Sequence, residues 1–485
     1  MRTLSIPYLS AKIDMGYEKR GFCRNYRHFP TDLICAMIKI NDTITYVAED
    51  YANSETVGVV DGYTVFVPNM IVGERARVKV NHVKKNVAYG DVVEFIDESD
   101  KRVASQCAHF GRCGGCSLMH MCYDEQLSFK RHKVAQNLKK IGKIDCDVLP
   151  CAPSNILYGY RNKLSLPVSG RCGNVHIGMY ERASHKVVST NGCHLGGDWS
   201  TKLVDLFTRY CNEYKIVPYN EQNFTGEVRH LVARYVEGQL LVTVVSNGEF
   251  TKNLTPFAEM LSKSFEKYGL FVNINTYKNN VILGKTTRHI CGIEYIEGEH
   301  LGVKFRLRPN SFFQVNDGVK DAIYTKVREL LDLSRTEVLV DCFSGIGILT
   351  NVLARDNYDT YAIEIEPSAV QDADEMVHLN KSPRVHNICG DVTVELPKII
   401  AANADKRFTI VVDPPRKGLG AIICDTLKQS NANNIVYISC DSATLARDLA
   451  SLADVYTVSY VQPYDMFPNT DQVETLVCFE RKGCR

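Results

Sequence analysis

"VLVDCFSGIGILT", residues 338–350, is an apolar strand that runs into a Gly-x-Gly turn and then into a helical pattern. Glycines at 345 and 347 let the backbone turn tightly and approach a ligand closely. The turn by itself decides little, because glycines that only pack a helix onto a strand look the same. Its surroundings add the rest. From Val319 onward "DAIYTKVRELLDL", "TYAIEIE", "FTIVVDPP" and "NIVYISC" alternate helix and strand, which predicts an α/β Rossmann-like domain over 319–485.

Ligands of such sheets bind beyond the carboxyl ends of the strands, and the residues there suggest which ligand. "YAIEIE" ends a strand at Glu364, 23 residues after Asp341, near the offset at which a carboxylate accepts ribose hydroxyls. The competing reading of Glu364 is a carboxylate favoured at a helix start. The third glycine of the dinucleotide pattern is absent, which favours a nucleoside without pyrophosphate, S-adenosylmethionine above all. "VVDPPRKG" (411–418) puts Asp413 at another strand end, where two prolines stop the strand and stiffen the loop.

"YISCDSATLARDL" (437–449) ends the next strand at Cys440, and "YDMFPNTDQVETLVCFE" places Glu474 just ahead of a final apolar strand. A lone cysteine is more often a small buried hydrophobe than a nucleophile. A thiol and a carboxylate converging beside a methyl donor, however, are what methylation at carbon-5 of a pyrimidine requires. That carbon is a poor nucleophile until a thiolate adds to carbon-6, and a base must then remove the carbon-5 proton. Cys440 fits the first role and Glu474 the second.

At 485 residues the chain exceeds one core. It has no apolar run long enough for a membrane span, and its start lacks a signal-peptide core, so no membrane contact and a cytoplasmic location are expected. Its eighteen cysteines then read as reduced thiols, ligands or a nucleophile rather than as a disulfide framework. The net charge of +1 excludes a global pull on polyanions and leaves local patches, "RARVKVNHVKK" (75–85) and "KRHKVAQNLKKIGK" (130–143). Residues 1–43 carry no clear period and are unassigned. Short alternating segments over 44–100 predict a small, OB-like β-barrel, and mixed strands and helices over 101–318 predict a central α+β domain. Within the latter, "CAHFGRCGGC" offers Cys107, Cys113 and Cys116 as thiolate ligands, with Cys122 as a local fourth; zinc and an iron-sulfur cluster both accept four sulfurs.

"SFFQVN" (311–316), "DCFSGIG", "DPPRKG", "YISCDSATLARDL" and "DMFPNTDQVET" follow one another in an order that resembles the RNA uracil-5 methyltransferases, which make 5-methyluridine in bacterial ribosomal and transfer RNA. The resemblance implies that Gln314, Phe343, Glu364, Asp391 and Asp413 line the S-adenosylmethionine site, that Cys440 attacks and that Glu474 takes the proton. It implies a [4Fe-4S] cluster whose fourth ligand is Cys193 in "STNGCHLGG", with Cys122 as the rival. It also implies a TRAM domain at 44–100, where Arg75, Arg77, Lys79, Lys84 and Lys85 would meet RNA phosphates, and a monomer. The chain departs from the family in two places: Asp441 and Ser442 replace the usual Asn-Pro after the nucleophile, and Gln472 replaces the usual His before the base. The resulting expectation is methylation of a uridine in 23S ribosomal RNA. The alternatives are the same reaction on transfer RNA, cytosine-5 methylation, or a catalytically impaired RNA-binding or assembly factor.

Overall fold

The computed structural model describes residues 37–483 except 191 and 332, so most of the unassigned 1–43 stretch lies outside the described residues. The first unit is a six-stranded sheet of β1 (Thr43–Val47), β2 (Asp50–Ala52), β3 (Glu55–Val60), β4 (Tyr63–Pro68), β5 (Arg75–Lys84) and β6 (Val87–Asp97). Strand order is β1-β5-β6-β4-β3-β2, and every pair is antiparallel except β4 with β6. The two-residue period of β5 turns Ala76, Val78 and Val80 inward and Arg75, Arg77 and Lys79 outward. The sheet curls around Tyr46, whose hydroxyl donates to Thr56 on β3 at 3.1 Å. Gly58 is needed there, because a Cβ would lie 2.3 Å from the Val47 carbonyl oxygen. Among the described residues no ladder joins the outer strands β1 and β2, so hydrogen bonding leaves the cylinder open.

After α1 (Tyr123–Lys140) comes a seven-stranded sheet of β7 (Lys163–Arg171), β8 (Asn174–Tyr180), β9 (Val187–Ser189), β10 (Val228–Val236), β11 (Gln239–Ser246), β12 (Lys267–Ile274) and β13 (Thr286–Gly292). Its order is β13-β12-β11-β10-β7-β8-β9. Helices α2 (Gly197–Glu213) and α3 (Thr255–Ser262) bury Phe207, Tyr210 and Phe257 against Val242 and Val244. A hairpin of β14 (Ile296–His300) and β15 (Val303–Leu307) leads out of this α+β unit.

The remaining elements are α4 (Asp317–Leu330), β16 (Val338–Cys342), α5 (Ile348–Leu353), β17 (Asp359–Glu364), α6 (Pro367–Asn380), β18 (Val385–Cys389) and α7 (Val392–Ala402), then β19 (Phe408–Val412), α8 (Gly420–Gln429), β20 (Ala432–Ser439), α9 (Ser442–Leu452), β21 (Tyr456–Tyr464) and β22 (Glu474–Arg481). The sheet runs β18-β17-β16-β19-β20-β22-β21; the first five strands are parallel and β22 is antiparallel to both its neighbours. Every residue of β16 and β19 is buried, as expected of central strands covered on both faces. Helix α1 packs here and not on the central sheet: Val134 and Leu138 join Leu445, Leu449 and Val461 in one core. Among the described residues no helix is long and apolar enough to cross a membrane.

Candidate active site

The chain leaves β16 toward β17 and β18 on one side and returns to β19 and β20 on the other, so the loops after β16 and β19 diverge and open a crevice. The β16 loop is shaped by main-chain bonds: the N–H groups of Phe343 and Ser344 both donate to the Ile363 carbonyl, at 2.9 and 3.1 Å. Phe343 adopts the left-handed region, φ 66°, which is uncommon for a bulky side chain and is held by these bonds. Gly345 and Gly347 also have positive φ, 56° and 80°. Glu364 fastens the turn: Oε2 accepts from Gly345 N–H at 3.0 Å and Oε1 from Glu366 N–H at 2.8 Å. Both oxygens keep acceptor capacity for a further donor such as a ribose hydroxyl.

Beneath the turn Asp341 is buried and accepts from Thr350 Oγ1 at 2.6 Å. Burial, opposed by that bond and reinforced by Glu364, pushes its carboxyl up to about 7. Asp413, whose N–H donates to the Cys342 carbonyl at 3.2 Å, is pushed up to about 7 by burial and by Asp341. Gln314 is nearly buried, and its carbonyl accepts from Asn162 Nδ2 at 2.9 Å. Asp391 is exposed and caps α7, accepting from the Thr393 N–H and hydroxyl at 2.8 and 2.7 Å; those bonds hold it below the usual carboxylate range.

Ladder register brings the two reacting side chains together. The β20–β22 pairing ends at Ser439 opposite Thr475, and the next residues outward on the two chains are Cys440 and Glu474. Burial, then Glu474 and Asp413, push the Cys440 thiol up to about 11, and Arg416 works in the opposite sense. Glu474 is buried and lies well above its ordinary value through burial and Asp413, again opposed by Arg416. Its Oε2 has no hydrogen-bond partner among the described residues, a costly state for a buried oxygen that a substrate or water would relieve.

The two departures beside these residues have local explanations. Asp441 caps α9, accepting from the N–H groups of Ala443 and Thr444 at 3.0 and 2.9 Å, so its charge faces the helix amides. Ser442 accepts from Asn137 Nδ2 at 2.8 Å and ties α9 to α1. Gln472 accepts from Arg416 Nη2 at 2.9 Å and so positions the guanidinium that lowers both Cys440 and Glu474.

The loop between β21 and β22 that delivers Glu474 is braced from outside the sheet. Lys130 of α1, wholly buried, pairs with Asp465 and donates to the Phe467 carbonyl at 3.0 Å, and Lys133 donates to the Asp471 carbonyl at 2.8 Å. Ser117 and Leu118 N–H both donate to the Asn469 carbonyl, and Asp471 N–H donates to Ser117 Oγ at 2.9 Å. The basic run 130–143 is therefore in large part a strut. Its remaining charges include Arg131, bonded to the Val148 carbonyl at 2.7 Å, and His132, against Asp50 at 2.7 Å.

One residue before Ser117 stands Cys116. With Cys107, Cys113 and Cys193 it lines one cavity together with Arg161, Met119 and Met179. Cys122 is not in that lining; it stands at the start of α1, where its N–H donates to the Lys101 carbonyl. Among the described residues no three ligating side chains are drawn tightly enough for a single ion. Burial and the neighbouring thiols push Cys116 up to about 12, and Arg161 opposes them. The Arg161 Nε is buried without a hydrogen-bond partner among the described residues. Four thiols and a guanidinium that hydrogen-bonds Tyr160 and keeps its Nε unpartnered are a donor set that an anionic thiolate-ligated group would fit.

A family model described as tRNA (Uracil-5-)-methyltransferase matches residues 122–482, and a TRAM domain model matches residues 43–93. An uncharacterized RNA methyltransferase of Clostridium acetobutylicum is 35% identical over 452 residues, covering 91% of this chain and 98% of its own. A second, from Halalkalibacterium halodurans, is 35% identical and covers 92% and 99%. The chain belongs to the tRNA (uracil-5-)-methyltransferase family. Among solved structures, the Pyrococcus abyssi tRNA (uracil-54, C5)-methyltransferase in complex with S-adenosyl-L-homocysteine superposes with a TM-score of 0.71 at 26% identity, over 90% of this chain and all of that one. This protein is thus an RNA methyltransferase with the S-adenosylmethionine-dependent fold and an N-terminal TRAM domain.

Three residues of this uracil-5 methyltransferase have surroundings that the sequence does not reveal. Arg416 is visible as the cation of "DPPRKG", yet nothing local announces that it faces both Cys440 and Glu474. Arg161 follows Tyr160 without a motif. Tyr324 of α4 lies among Asp413, Asp341, Asp321 and Glu474, and burial with those charges raises it well above its ordinary value; on a helix face it looks like any core tyrosine.

Proposed function

We propose that the chain methylates carbon-5 of a uridine through a covalent adduct of Cys440. The observation that carries this reading is the pairing of a thiol with a buried, unpartnered carboxylate at adjacent ladder positions beside the cofactor crevice. The Cys440 sulfur, once deprotonated, adds to carbon-6, and carbon-5 gains the nucleophilic character to form its new bond. S-adenosylmethionine supplies an electrophilic methyl group on a sulfonium, and Gln314, Phe343, Glu364, Asp391 and Asp413 are the residues that would hold it. Glu474 then takes the carbon-5 proton on Oε2, the double bond re-forms, and Cys440 leaves from carbon-6. Both groups must be ionised to act. Arg416 favours that state in both, and the positive charge of bound S-adenosylmethionine would act in the same sense.

The proposed substrate is a uridine in an exposed loop of 23S ribosomal RNA, because the target base must leave its stack and does so most cheaply in a loop. Transfer RNA is the second reading, favoured by the substrate in the name of the Pyrococcus abyssi enzyme. The proposed second group is a [4Fe-4S] cluster on Cys107, Cys113, Cys116 and Cys193, supported by their common cavity and by Arg161.

Incubation with methyl-labelled S-adenosylmethionine and unmodified ribosomal or transfer RNA in separate tubes, followed by digestion, tests the reaction and its substrate. Label in 5-methyluridine from one RNA is expected, and Cys440→Ala should abolish it. Methylation by Cys440→Ala at the wild-type rate would sink the mechanism.

A further inference from the structure

One side of α9 carries three polar side chains, Thr444, Arg447 and Asp448, at the i, i+3 and i+4 positions that share a helix face. Each bonds the main chain of the "DPPRKG" loop after β19 at a different residue. Thr444 Oγ1 donates to the Arg416 carbonyl at 3.1 Å, Arg447 Nη2 donates to the Lys417 carbonyl at 2.8 Å, and Asp448 Oδ2 accepts from the Leu419 N–H at 2.7 Å. The approach leaves no room for a side chain at the residue between. A Cβ on Gly418, whose φ is 75°, would lie 2.3 Å from Asp448 Oδ2 and 2.6 Å from Arg447 Nη2.

Asp448 is buried and gathers the arrangement. It also accepts from the Tyr437 hydroxyl on β20 at 3.0 Å, and its Oδ1 accepts from Arg447 Nε and Nη2 at 3.1 and 2.8 Å. Tyr437 stands three residues before Cys440, and α9 starts two residues after it. One carboxylate therefore ties the strand and the helix on either side of the thiol to the loop that carries Arg416. The Arg416 side chain is exposed, and its far end donates to Gln472, two residues ahead of Glu474.

We propose that Asp448, with Thr444 and Arg447, is a positioning clamp that locks the loop after β19 onto α9 and thereby holds the Arg416 guanidinium toward Cys440 and Glu474. The inference rests on the reading of Cys440 as the nucleophile. A long, exposed arginine turns readily to solvent, where water screens its charge, so Gln472 at its tip and α9 at its main chain are the two points that keep it in place.

The test is the pH profile of Cys440 alkylation by iodoacetamide in the full-length protein, read by mass spectrometry on the peptide that contains Cys440. Asp448→Asn keeps the shape of the side chain but gives up the charge that gathers its donors; it should move the profile to higher pH and slow alkylation near neutral pH about three- to tenfold. Gly418→Ala, which pushes the loop off α9, should act alike, and Thr444→Val, which leaves the buried carboxylate in place, should act in the same direction by less. In an Arg416→Ala background Asp448→Asn should add nothing to the displacement that Arg416→Ala produces, because both act through one guanidinium. A wild-type profile in both Gly418→Ala and Thr444→Val would overturn the clamp, as would an undiminished further displacement by Asp448→Asn in the Arg416→Ala background. Alkylation needs no turnover, so these outcomes stand apart from methylation by Cys440→Ala at the wild-type rate, which defeats the reading of Cys440 as nucleophile and leaves the clamp's effect on the thiol measurable.

Discussion

Arg416 acts on both reacting side chains, and Gln472 holds it in place. Removing the guanidinium leaves Cys440 facing Glu474 and Asp413 unrelieved, so the thiol rises further and the thiolate fraction falls at every pH. Arg416→Ala should therefore move the pH profile of Cys440 alkylation by iodoacetamide to higher pH and lower kcat/KM about ten- to hundredfold. Gln472→Ala should shift it the same way by less. Asp441→Asn should leave it in place, because the carboxylates that raise Cys440 are Glu474 and Asp413 while Asp441 faces the amides of α9. An alkylation profile in Arg416→Ala that matches wild type would refute this account. Asp341 and Asp413 make a second pH-dependent statement. Both rise from 3.8 to about 7 in the folded protein, which therefore holds more protons than the unfolded chain across that window. Stability of the ligand-free protein is then fullest at the acid end and is lost as pH rises through about 7. Thermal melts from about pH 5.5 to about pH 8 should show a falling Tm that Asp413→Asn makes flatter.

Helix α1 is the element that joins the cysteine-rich segment to the base loop. Lys130 and Asp465 are both fully buried, and removal of one partner strands the other's charge, so Lys130→Met should cost about 3–5 kcal/mol in denaturant unfolding. Ser117→Ala removes two hydrogen bonds to Asp471 in the loop that carries Glu474, one accepted from its N–H and one donated to its carboxylate, and should lower kcat about two- to tenfold with KM for RNA nearly unchanged. A KM effect without a kcat effect would assign Ser117 to RNA binding instead. The same elements mark what is legible in the sequence. The parallel sheet, its glycine turn and the strand ends at Asp413 and Cys440 can be read because each rests on a local pattern of a few residues. The alternation of β5 reveals its inward and outward faces for the same reason. Lys130, by contrast, reads as part of a charged surface run, and its partner lies 335 residues away. Arg75 of β5 reads as free because Asp97, its ion-pair partner, stands opposite it only once the hairpin has closed. Pairings across the chain leave no periodic trace, and they decide whether a charge is available to a ligand.

Across the whole molecule the four-cysteine cavity and the catalytic edge are mechanically continuous. Cys116 adjoins Ser117, Ser117 bonds Asp471 and Asn469, and the same loop leads to Glu474; Tyr160, next to Arg161, donates to the Pro468 carbonyl at 3.1 Å. The proposed cluster thus lies where its loss would release the loop carrying the base, far from any part in the methyl transfer itself. Cys116→Ser should lower Tm and reduce kcat while the affinity for S-adenosylmethionine, read by calorimetry, stays within about twofold of wild type, since Glu364 and the glycine turn are held by other bonds. Arg161 allows a test that does not depend on turnover. A buried guanidinium beside four thiolates favours the more negative, reduced state of an anionic cluster, so Arg161→Met should move its midpoint potential in the negative direction and Arg161→Lys should restore part of the shift. If the purified protein holds one zinc ion in place of iron and sulfide, no potential will be measurable and the cavity will have closed around a single metal. If it holds a cluster whose potential ignores Arg161, the unsatisfied Nε must be answered by something other than the thiolates, and the charge argument for this cavity fails.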